Sequence, residues 1–255
     1  MSMPATLYKY EQVNLQTLRN LKNQVIYLGA PRNFNDPYDC AIGAPLTDLS
    51  DQGLERLLEG RRVNAPNETL KAMFKDGATK TIQGLTEKFL DERGVACFTE
   101  APENLLMWSH YADGGRGMCL AFATKEKLFE KARKVTYSNS IPALELEAIL
   151  CDKQYDQLIE LYRTKSSHWC YEQEWRVIHE TAGTSWTYEA SSLEAVYFGP
   201  NVADDLLQIT LLILKGQNAT VRFYRGMRSE SEFRMLFEQF QYTPALEAQA
   251  RGLLA

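Results

Sequence analysis

Short runs of β-prone residues, separated by longer segments of helical periodicity, constrain the fold of this chain most. The leucines of the intervening segments recur at helical spacing, as at Leu15, Leu18 and Leu21 and again within 142–166, which predicts amphipathic helices. The polar segment 61–67, which contains Pro66, is predicted to be a loop. A sheet system interrupted by helical insertions is an α+β fold, and this pattern does not fix the order of the strands. Strands are predicted at residues 7–10, 25–28, 94–98, 118–122, 172–178 and 193–198.

The 255 residues contain no internal repeat, low-complexity tract or linker that would divide them. We therefore expect a single α+β domain over 1–255 with mixed β-sheets. Its core should cover about 7–224, and 225–255 should form a helical tail. A chain of this length can bury most of its apolar surface without disulfides or metal ions.

Charge and cysteine content narrow the function classes. The 28 basic and 33 acidic residues give a net charge of −5, which disfavours a whole-surface binder of nucleic acid or anionic membrane but permits a local basic patch. No apolar run approaches the ~20 residues of a membrane helix, and the N-terminus lacks a signal-peptide core. The odd number of cysteines without a CxxC pair predicts reduced thiols, so we expect a cytoplasmic protein without membrane contact.

Common catalytic motifs are missing from the sequence, which contains no GxGxxG, P-loop, HExxH or GxSxG segment. Of the three histidines, His168 alone has a ligand-like neighbour, Cys170. A structural zinc site needs four ligands at recognisable spacings, so no metal is expected.

Two segments are dense in residues that carry chemistry. In the first, Trp108, His110 and Tyr111 precede a glycine run, 114–117, which contains Arg116; such a run can approach a ligand closely and present N–H groups to an anion. In the second, alternation predicts that Glu172, Glu174 and Arg176 share one face of a strand. A solvated strand edge explains that face most simply. Two neighbouring carboxylates also repel, which raises the pKa of one unless a cation intervenes, and this is a common way to prepare a catalytic acid.

The motifs together resemble a bacterial family catalogued as domain of unknown function 2971. The resemblance covers about Leu7 to Tyr224 and implies no activity. The motifs that carry it are LYKY, FNDPYDC, CFTE followed by MWSHYADGGRG, KSSHWCYEQEWRVI and AVYFGPN.

A more distant resemblance, to ADP-ribosyltransferases, suggests chemistry. That family has an early strand with His or Arg, a middle strand leading to a helix with an aromatic residue, and a late strand with Gln-x-Glu or Glu-x-Glu. This chain has Tyr8-Lys9-Tyr10, Cys97-Phe98-Thr99 leading to Tyr111, and Glu172-Gln173-Glu174. It departs from the family in having lysine for His or Arg and in lacking the STS element.

The second resemblance implies an ADP-ribosyltransferase-like fold and an enzyme that uses NAD as cosubstrate. Glu174 would hold the ribose 2′-hydroxyl and be the essential carboxylate, with Glu172 beside it. Tyr111 would stack on nicotinamide, and Lys9 or Tyr10 would contact the ribose or diphosphate. The acceptor of ADP-ribose, a protein or a nucleic acid, is not fixed. The other side chains assigned to NAD binding are Phe98, Trp108, Arg116 and Arg176.

These assignments predict that Lys9, Tyr111 and Glu174 line one cleft, that Trp108 and Arg116 lie near its rim, and that Arg176 pairs with Glu172. Two other functions stay open. A noncatalytic nucleotide- or nucleic-acid-binding module would use an aromatic pocket and basic side chains. A metal-dependent nuclease would use four acids. The aromatic pocket would consist of Trp108, Tyr111, Trp169 and Trp175, the basic set of Lys165, Arg116 and Arg176, and the acids of Asp36, Asp39, Glu172 and Glu174.

Overall fold

The computed structural model describes residues 2–41, 43–59 and 67–252, which form an α+β fold. The α-helices are α1 (Leu15–Lys22), α2 (Asp51–Leu58), α3 (Glu68–Glu92), α4 (Leu105–Tyr111), α5 (Leu146–Leu150), α6 (Asp156–Arg163), α7 (Asp204–Lys215) and α8 (Ala245–Ala250). The strands are β1 (Thr6–Glu11), β2 (Val25–Leu28), β3 (Gly94–Phe98), β4 (Met118–Ala123), β5 (Ala132–Lys134), β6 (Thr136–Ser138), β7 (Thr164–Ser166), β8 (Trp175–His179), β9 (Thr184–Thr187), β10 (Leu193–Phe198), β11 (Arg222–Arg228) and β12 (Met235–Phe240).

The largest sheet has the strand order β1-β4-β10-β11-β12 and is mixed. β10 and β11 are parallel because α7 connects them as a crossover, whereas the other neighbours are antiparallel. Apolar side chains from the sheet, such as Phe122 and Phe198, pack with Leu211 of α7 and Leu21 of α1 in the main core. Leu7 of β1 belongs to the same core.

A second sheet, β3-β8-β5, meets the first where Thr99, directly after β3, lies beside Tyr8 of β1. The backbones of Tyr8 and Thr99 form an antiparallel bridge, with N···O distances of 2.9 and 2.8 Å. Two short ribbons, β2-β9 and β6-β7, complete the described strands, and a bridge between Gly29 and Val95 joins the end of β2 to β3. Two of the three motifs that resemble ADP-ribosyltransferases, Tyr8-Lys9-Tyr10 and Cys97-Phe98-Thr99, therefore meet at the junction between these sheets.

Most predicted strands are present, but three predictions need correction. The strand expected at 172–178 begins only at Trp175, because Ser167–Glu172 is a 3₁₀ turn and Gln173 adopts a left-handed conformation with φ 46°. The tail expected to be helical contains β12 and most of β11, since the sheet extends beyond Tyr224. The segment 142–166, helical by pattern, ends in strand β7. The predicted loop 61–67 lies outside the described residues except for Asn67, the N-cap of α3.

Candidate functional site

A cavity of about 340 Å³ lies at the junction of the five-stranded sheet and the β3-β8-β5 sheet. It is called the cavity below. Its volume falls within the range of ~300–1,000 Å³ typical of small-molecule sites. It is lined by β1 and β3, the segment 29–39, α4, and Lys165, Glu172 and Glu174. Its aromatic lining consists of Tyr8, Tyr10, Tyr27, Phe34, Phe98 and Tyr111.

Helix α4 is fixed against the glutamate segment at two points. The Asn104 side chain caps α4 by accepting from the Leu106 N–H at 2.9 Å, and its Nδ2 donates to the Tyr171 carbonyl at 2.8 Å. At the other end of the helix, the Tyr111 hydroxyl donates to Glu172 Oε1 at 2.6 Å. The aromatic ring and the carboxylate therefore have a fixed relation in the cavity wall.

Strand β3 is also tied to this segment, since the Thr99 hydroxyl donates to the Glu172 carbonyl at 2.5 Å. Thr99 also bridges to Tyr8, next to Lys9. One threonine thus connects the early strand to the late motif, although more than 160 positions separate these segments in the sequence.

Five buried ionisable side chains, which we call the charge cluster, lie beside the cavity: Asp39, Lys165, Glu172, Glu174 and Arg176. Lys165 is central to this cluster. Its Nζ lies 2.5 Å from Glu172 Oε2, 3.1 Å from Glu174 Oε2 and 3.2 Å from Asp39 Oδ2. With all groups ionised, three carboxylates face two cations and the cluster carries one net negative charge.

Arg176 is fully buried and holds Glu174 in a bidentate pair, with N···O distances of 2.7 and 2.8 Å. The same guanidinium lies 2.6 Å from Asp39 Oδ1 and donates to the Tyr162 carbonyl at 2.9 Å. Because Asp39 follows Phe34 and Asn35, these contacts anchor the segment that forms one wall of the cavity.

The two glutamates have opposite pKa shifts. Burial raises the pKa of the Glu172 carboxyl, the Glu174 charge raises it further, and Lys165 only partly offsets both. Burial also acts to raise the pKa of Glu174, but Arg176 and Lys165 outweigh it and lower this pKa to about 2. Although burial acts to lower the pKa of Lys165, its acidic neighbours Glu174, Asp39 and Glu172 raise it. Glu174 and Lys165 therefore stay charged near neutral pH, and Glu172 is the carboxyl that is easier to protonate.

The structure brings together most of the side chains that the sequence analysis assigned to one site. The expectation that Lys9, Tyr111 and Glu174 line a common cleft is confirmed, while their roles stay predictions. The assigned residues that line the cavity are Lys9, Tyr10, Phe98, Tyr111, Glu172 and Glu174.

Several expectations about neighbouring residues were wrong. Arg176 forms its bidentate pair with Glu174, and Glu172 is held by Lys165 instead. Because Arg176 is fully buried and does not line the cavity, its assignment to NAD binding is also wrong. Trp108 is buried behind the cavity wall, where its indole N–H donates to the Pro102 carbonyl at 2.7 Å and its ring meets Tyr10 edge-on. It supports the wall and is not among the lining residues.

Arg116 and the glycine run are not at the cavity either. Arg116 forms an exposed pair with Asp113. A Cβ on Gly117 would lie 2.3 Å from the Glu11 carbonyl oxygen, so Gly117 permits close packing of the chain beside β1. Gly115 has φ +84°, and a Cβ there would meet Pro200. Packing of the chain explains these glycines, and the anion site expected at 114–117 does not face the cavity.

The structure does not assemble the residue sets of the two alternative functions, the binding module and the nuclease, as expected. The four aromatic side chains of the binding-module hypothesis do not share a pocket: Tyr111 lines the cavity, Trp169 lines a separate groove, and Trp108 and Trp175 are buried. In the nuclease hypothesis, Asp39, Glu172 and Glu174 are paired with Lys165 and Arg176. Among the described residues, no group of three or more His, Cys, Asp or Glu side chains is arranged to hold a metal ion.

Sequence reasoning missed the central position of Lys165 and its contact with Asp39. Both residues appeared only in the alternatives, Lys165 as a phosphate ligand and Asp39 as a metal ligand. The available signal was Lys165, the single lysine in the segment KSSHWCYEQEWR, seven positions before Glu172. A cation was needed there because two neighbouring buried carboxylates repel each other.

In the part of the chain that the structure describes, no helix combines the length and apolar character needed to cross a membrane. A comparison with curated proteins and one with solved structures find no match, so the resemblance to ADP-ribosyltransferases gains no support from them. A family model matches the segment from α4 to β8, which contains Tyr111, Lys165 and both glutamates. Residues 107–177 are thus similar to the family described as "Protein of unknown function (DUF2971)", which supports the first resemblance over this segment and assigns no activity.

Proposed function

We propose that this protein is an NAD-consuming enzyme that cleaves the nicotinamide–ribose bond and transfers ADP-ribose to a macromolecular acceptor. The observation that carries the proposal is the convergence of Lys9, Tyr111 and Glu174 on one cavity. These residues come from the three motifs that resemble ADP-ribosyltransferases. Three unrelated local patterns would have no reason to meet there.

The charge cluster suits the chemistry of this reaction. Cleavage of the bond from ribose C1 to the nicotinamide nitrogen develops positive charge on the ribose, and an adjacent carboxylate stabilises such an oxocarbenium-like transition state. Glu174, with a pKa of about 2, remains anionic at neutral pH. The net negative charge of the cluster adds to this stabilisation because the buried groups are poorly screened by solvent.

The other lining residues supply binding. The ring of Tyr111 would stack on nicotinamide, and its hydrogen bond to Glu172 limits rotation of the side chain. The Lys9 Nζ, 3.0 Å from Glu11 Oε1, would turn to the ribose or diphosphate of NAD. Tyr10 and Phe98 would form the apolar wall behind the nucleotide.

Glu172 has the properties of a proton acceptor. In the transfer, nicotinamide leaves C1 with the bonding electron pair, and the acceptor atom bonds to C1 and loses its proton. The pKa of the Glu172 carboxyl is raised, so its carboxylate is a stronger base than an ordinary glutamate. It is therefore suited to take that proton and pass it to water.

A noncatalytic nucleotide-binding module is the second candidate. Both Glu174 oxygens already accept from Arg176, and Lys165 lies 3.1 Å from one of them. A carboxylate held in this way could serve only to anchor the cavity wall. The cavity would then bind a nucleotide without cleaving it.

The decisive experiment measures nicotinamide release from NAD by the purified protein, alone and with polypeptide or nucleic-acid acceptors. Glu174→Gln should reduce turnover by on the order of a hundredfold or more, ~2.7 kcal/mol, and should reduce NAD binding much less. Glu172→Gln should reduce it less than Glu174→Gln does. The exposed Glu180 provides the matched control, since Glu180→Gln makes the same chemical change outside the cavity lining.

Other results would redirect the proposal. If the wild type leaves NAD intact with every acceptor but binds it, the binding module is the better description. Cleavage of nucleic acid that a chelator abolishes would support the nuclease. Nicotinamide release should continue in the presence of a chelator.

A further inference from the structure

A second depression, of about 590 Å³, lies beside β6 and β7, and we call it the groove. Its lining includes one carboxylate, from Asp36, and three tyrosine or tryptophan rings, from Tyr38, Trp169 and Tyr171. Hydroxyl and amide groups of residues 138–140 belong to the same surface. None of the reaction steps described above uses the groove, so what it binds is a separate question.

The Asp36 carboxylate is 8% exposed, and no cation is paired with it in the part of the chain that the structure describes. Its side-chain hydrogen bond lies within its own turn, where Oδ1 accepts from the Tyr38 N–H at 2.9 Å. The other oxygen, Oδ2, has no donor among the described residues. A buried carboxylate without a counter-ion is costly, because burial removes water that would otherwise solvate the charge.

The charge cluster does not supply the missing cation. It lies close to Asp36, since the Asp39 N–H donates to the Asp36 carbonyl at 3.1 Å. Among the described residues that line the groove, Lys165 is the one lysine or arginine, and three carboxylates of the cluster already hold it. The cluster carries one net negative charge, so Asp36 brings the buried excess on this side of the molecule to two negative charges.

We propose that the groove binds a small organic amine in its protonated form, independently of the proposed reaction with NAD. The ammonium group would donate an N–H to Asp36 Oδ2 and neutralise the carboxylate. The rings of the groove would add to the binding, because the face of an aromatic ring attracts a cation. Trp169 already has such a contact, with the Lys165 Nζ 5.2 Å from its ring centroid.

Other classes of ligand suit the groove less well. An anion such as a phosphate would add negative charge where the buried groups already have an excess of it. A neutral sugar would leave the Asp36 carboxylate without a counter-ion. A metal ion prefers several oxygen ligands, and the groove offers one carboxylate on a surface that is mainly apolar.

Asp36 also lines a third depression, of about 510 Å³, next to α3. The other carboxylates there, from Glu87 and Asp91, are exposed to water and need no ligand to solvate them. That depression also has a cation of its own, Arg32, which lies 2.5 Å from Asp91. Its described lining has one aromatic ring, from Phe34, against three in the groove, so the groove is the better site for an ammonium group.

The test measures binding of butylamine and phenethylamine by calorimetry at neutral pH, with butanol and phenethyl alcohol as neutral analogues of the same size. Asp36→Asn removes the charge and keeps the turn, because an asparagine side chain accepts from the same N–H. Trp169→Leu and Tyr38→Leu each replace a ring by an aliphatic side chain. Asp48→Asn is the matched control, since Asp48 is exposed and lines neither the groove nor the third depression.

We expect the wild type and Asp48→Asn to bind each amine at least about tenfold more tightly than its neutral analogue. Asp36→Asn should remove this preference and weaken amine binding about tenfold or more. Trp169→Leu should weaken it about threefold to tenfold, the scale of a cation–π contact. Tyr38→Leu should have a smaller effect, because the Tyr38 ring is 64% exposed.

Amines that bind no more tightly than their neutral analogues would overturn the inference, and so would equal amine affinities in Asp36→Asn and the wild type. If Asp36→Asn weakens binding and neither ring variant does, the amine binds in the third depression, and its assignment to the groove is wrong. Cleavage of NAD is not a readout of this experiment, so a failure of the proposed function is distinguishable from a failure of this inference.

Discussion

Two arginine–carboxylate pairs in this protein have nearly the same geometry and opposite surroundings. Arg176 and Glu174 form a bidentate pair at 2.7 and 2.8 Å, with side chains 0% and 4% exposed. Arg116 and Asp113 form one at 2.9 and 2.8 Å, with side chains 62% and 47% exposed. The first pair belongs to the charge cluster beside the cavity, whereas the second lies on the surface next to a glycine run.

The difference shows why a dense sequence motif is a poor guide to location. Glycines with an arginine suggested a site for an anion at 114–117, yet Gly115 and Gly117 are explained by close packing of the chain. The late motif looked like an ordinary solvated strand edge, yet its charged groups are buried together. Burial makes an ion pair energetically consequential, since a buried pair is little screened and an exposed one is screened by water and salt.

The largest effect should come from removing the cation of the buried pair. Arg176→Met leaves Glu174 and Asp39 with Lys165 as their remaining close cation, and breaking a buried pair in this way costs ~3–5 kcal/mol. Denaturant unfolding measures the loss. The same change at the surface, Arg116→Met, is the control, and similar losses in the two variants would show that burial does not distinguish the pairs.

An intermediate effect should appear in the pH dependence of stability. The pKa of Glu174 is lowered from 4.5 to about 2, so its ionisation stabilises the fold fully above about pH 4.5. This contribution is lost as the pH falls towards 2. The free energy of unfolding should therefore fall less over this range in Glu174→Gln than in the wild type.

This measurement has an independent control in Glu180→Gln, whose pH profile should match that of the wild type. Equal slopes in Glu174→Gln and the wild type below pH 4.5 would mean that the cluster does not hold the Glu174 charge.

The smallest effect should come from the exposed pair. Arg116→Met removes a side chain that faces solvent and does not line the cavity, so nicotinamide release should equal that of the wild type. A substantial loss of NAD cleavage in this variant would return the glycine run to the functional site.

The sequence predicted the main elements of the fold because hydrophobic periodicity is local. The strands at 25–28, 94–98 and 193–198 have the predicted bounds. The order of the strands depends on contacts between distant residues, such as the bridge from Tyr8 to Thr99, and could not be obtained from local patterns.

The candidate site was predictable in part because three local motifs resemble those of ADP-ribosyltransferases. That resemblance indicated Lys9, Tyr111 and the glutamates. The conformation of Gln173 could not be foreseen, since φ 46° is unusual for glutamine and a run of alternating residues favours a continuous strand. This one residue separates Glu172 from strand β8 and changes its partner from Arg176 to Lys165.

The central claim is that NAD binds at the cavity beside the charge cluster and not at the glycine run. Hydrogen–deuterium exchange of the wild type, with and without an NAD analogue whose nicotinamide–ribose bond cannot be cleaved, tests this claim directly. We expect slower exchange of backbone amides in 34–41, 95–99 and 165–174 when the analogue is bound, and no change in 112–117. Protection confined to 112–117, or none in any of these segments at saturating analogue, would contradict it.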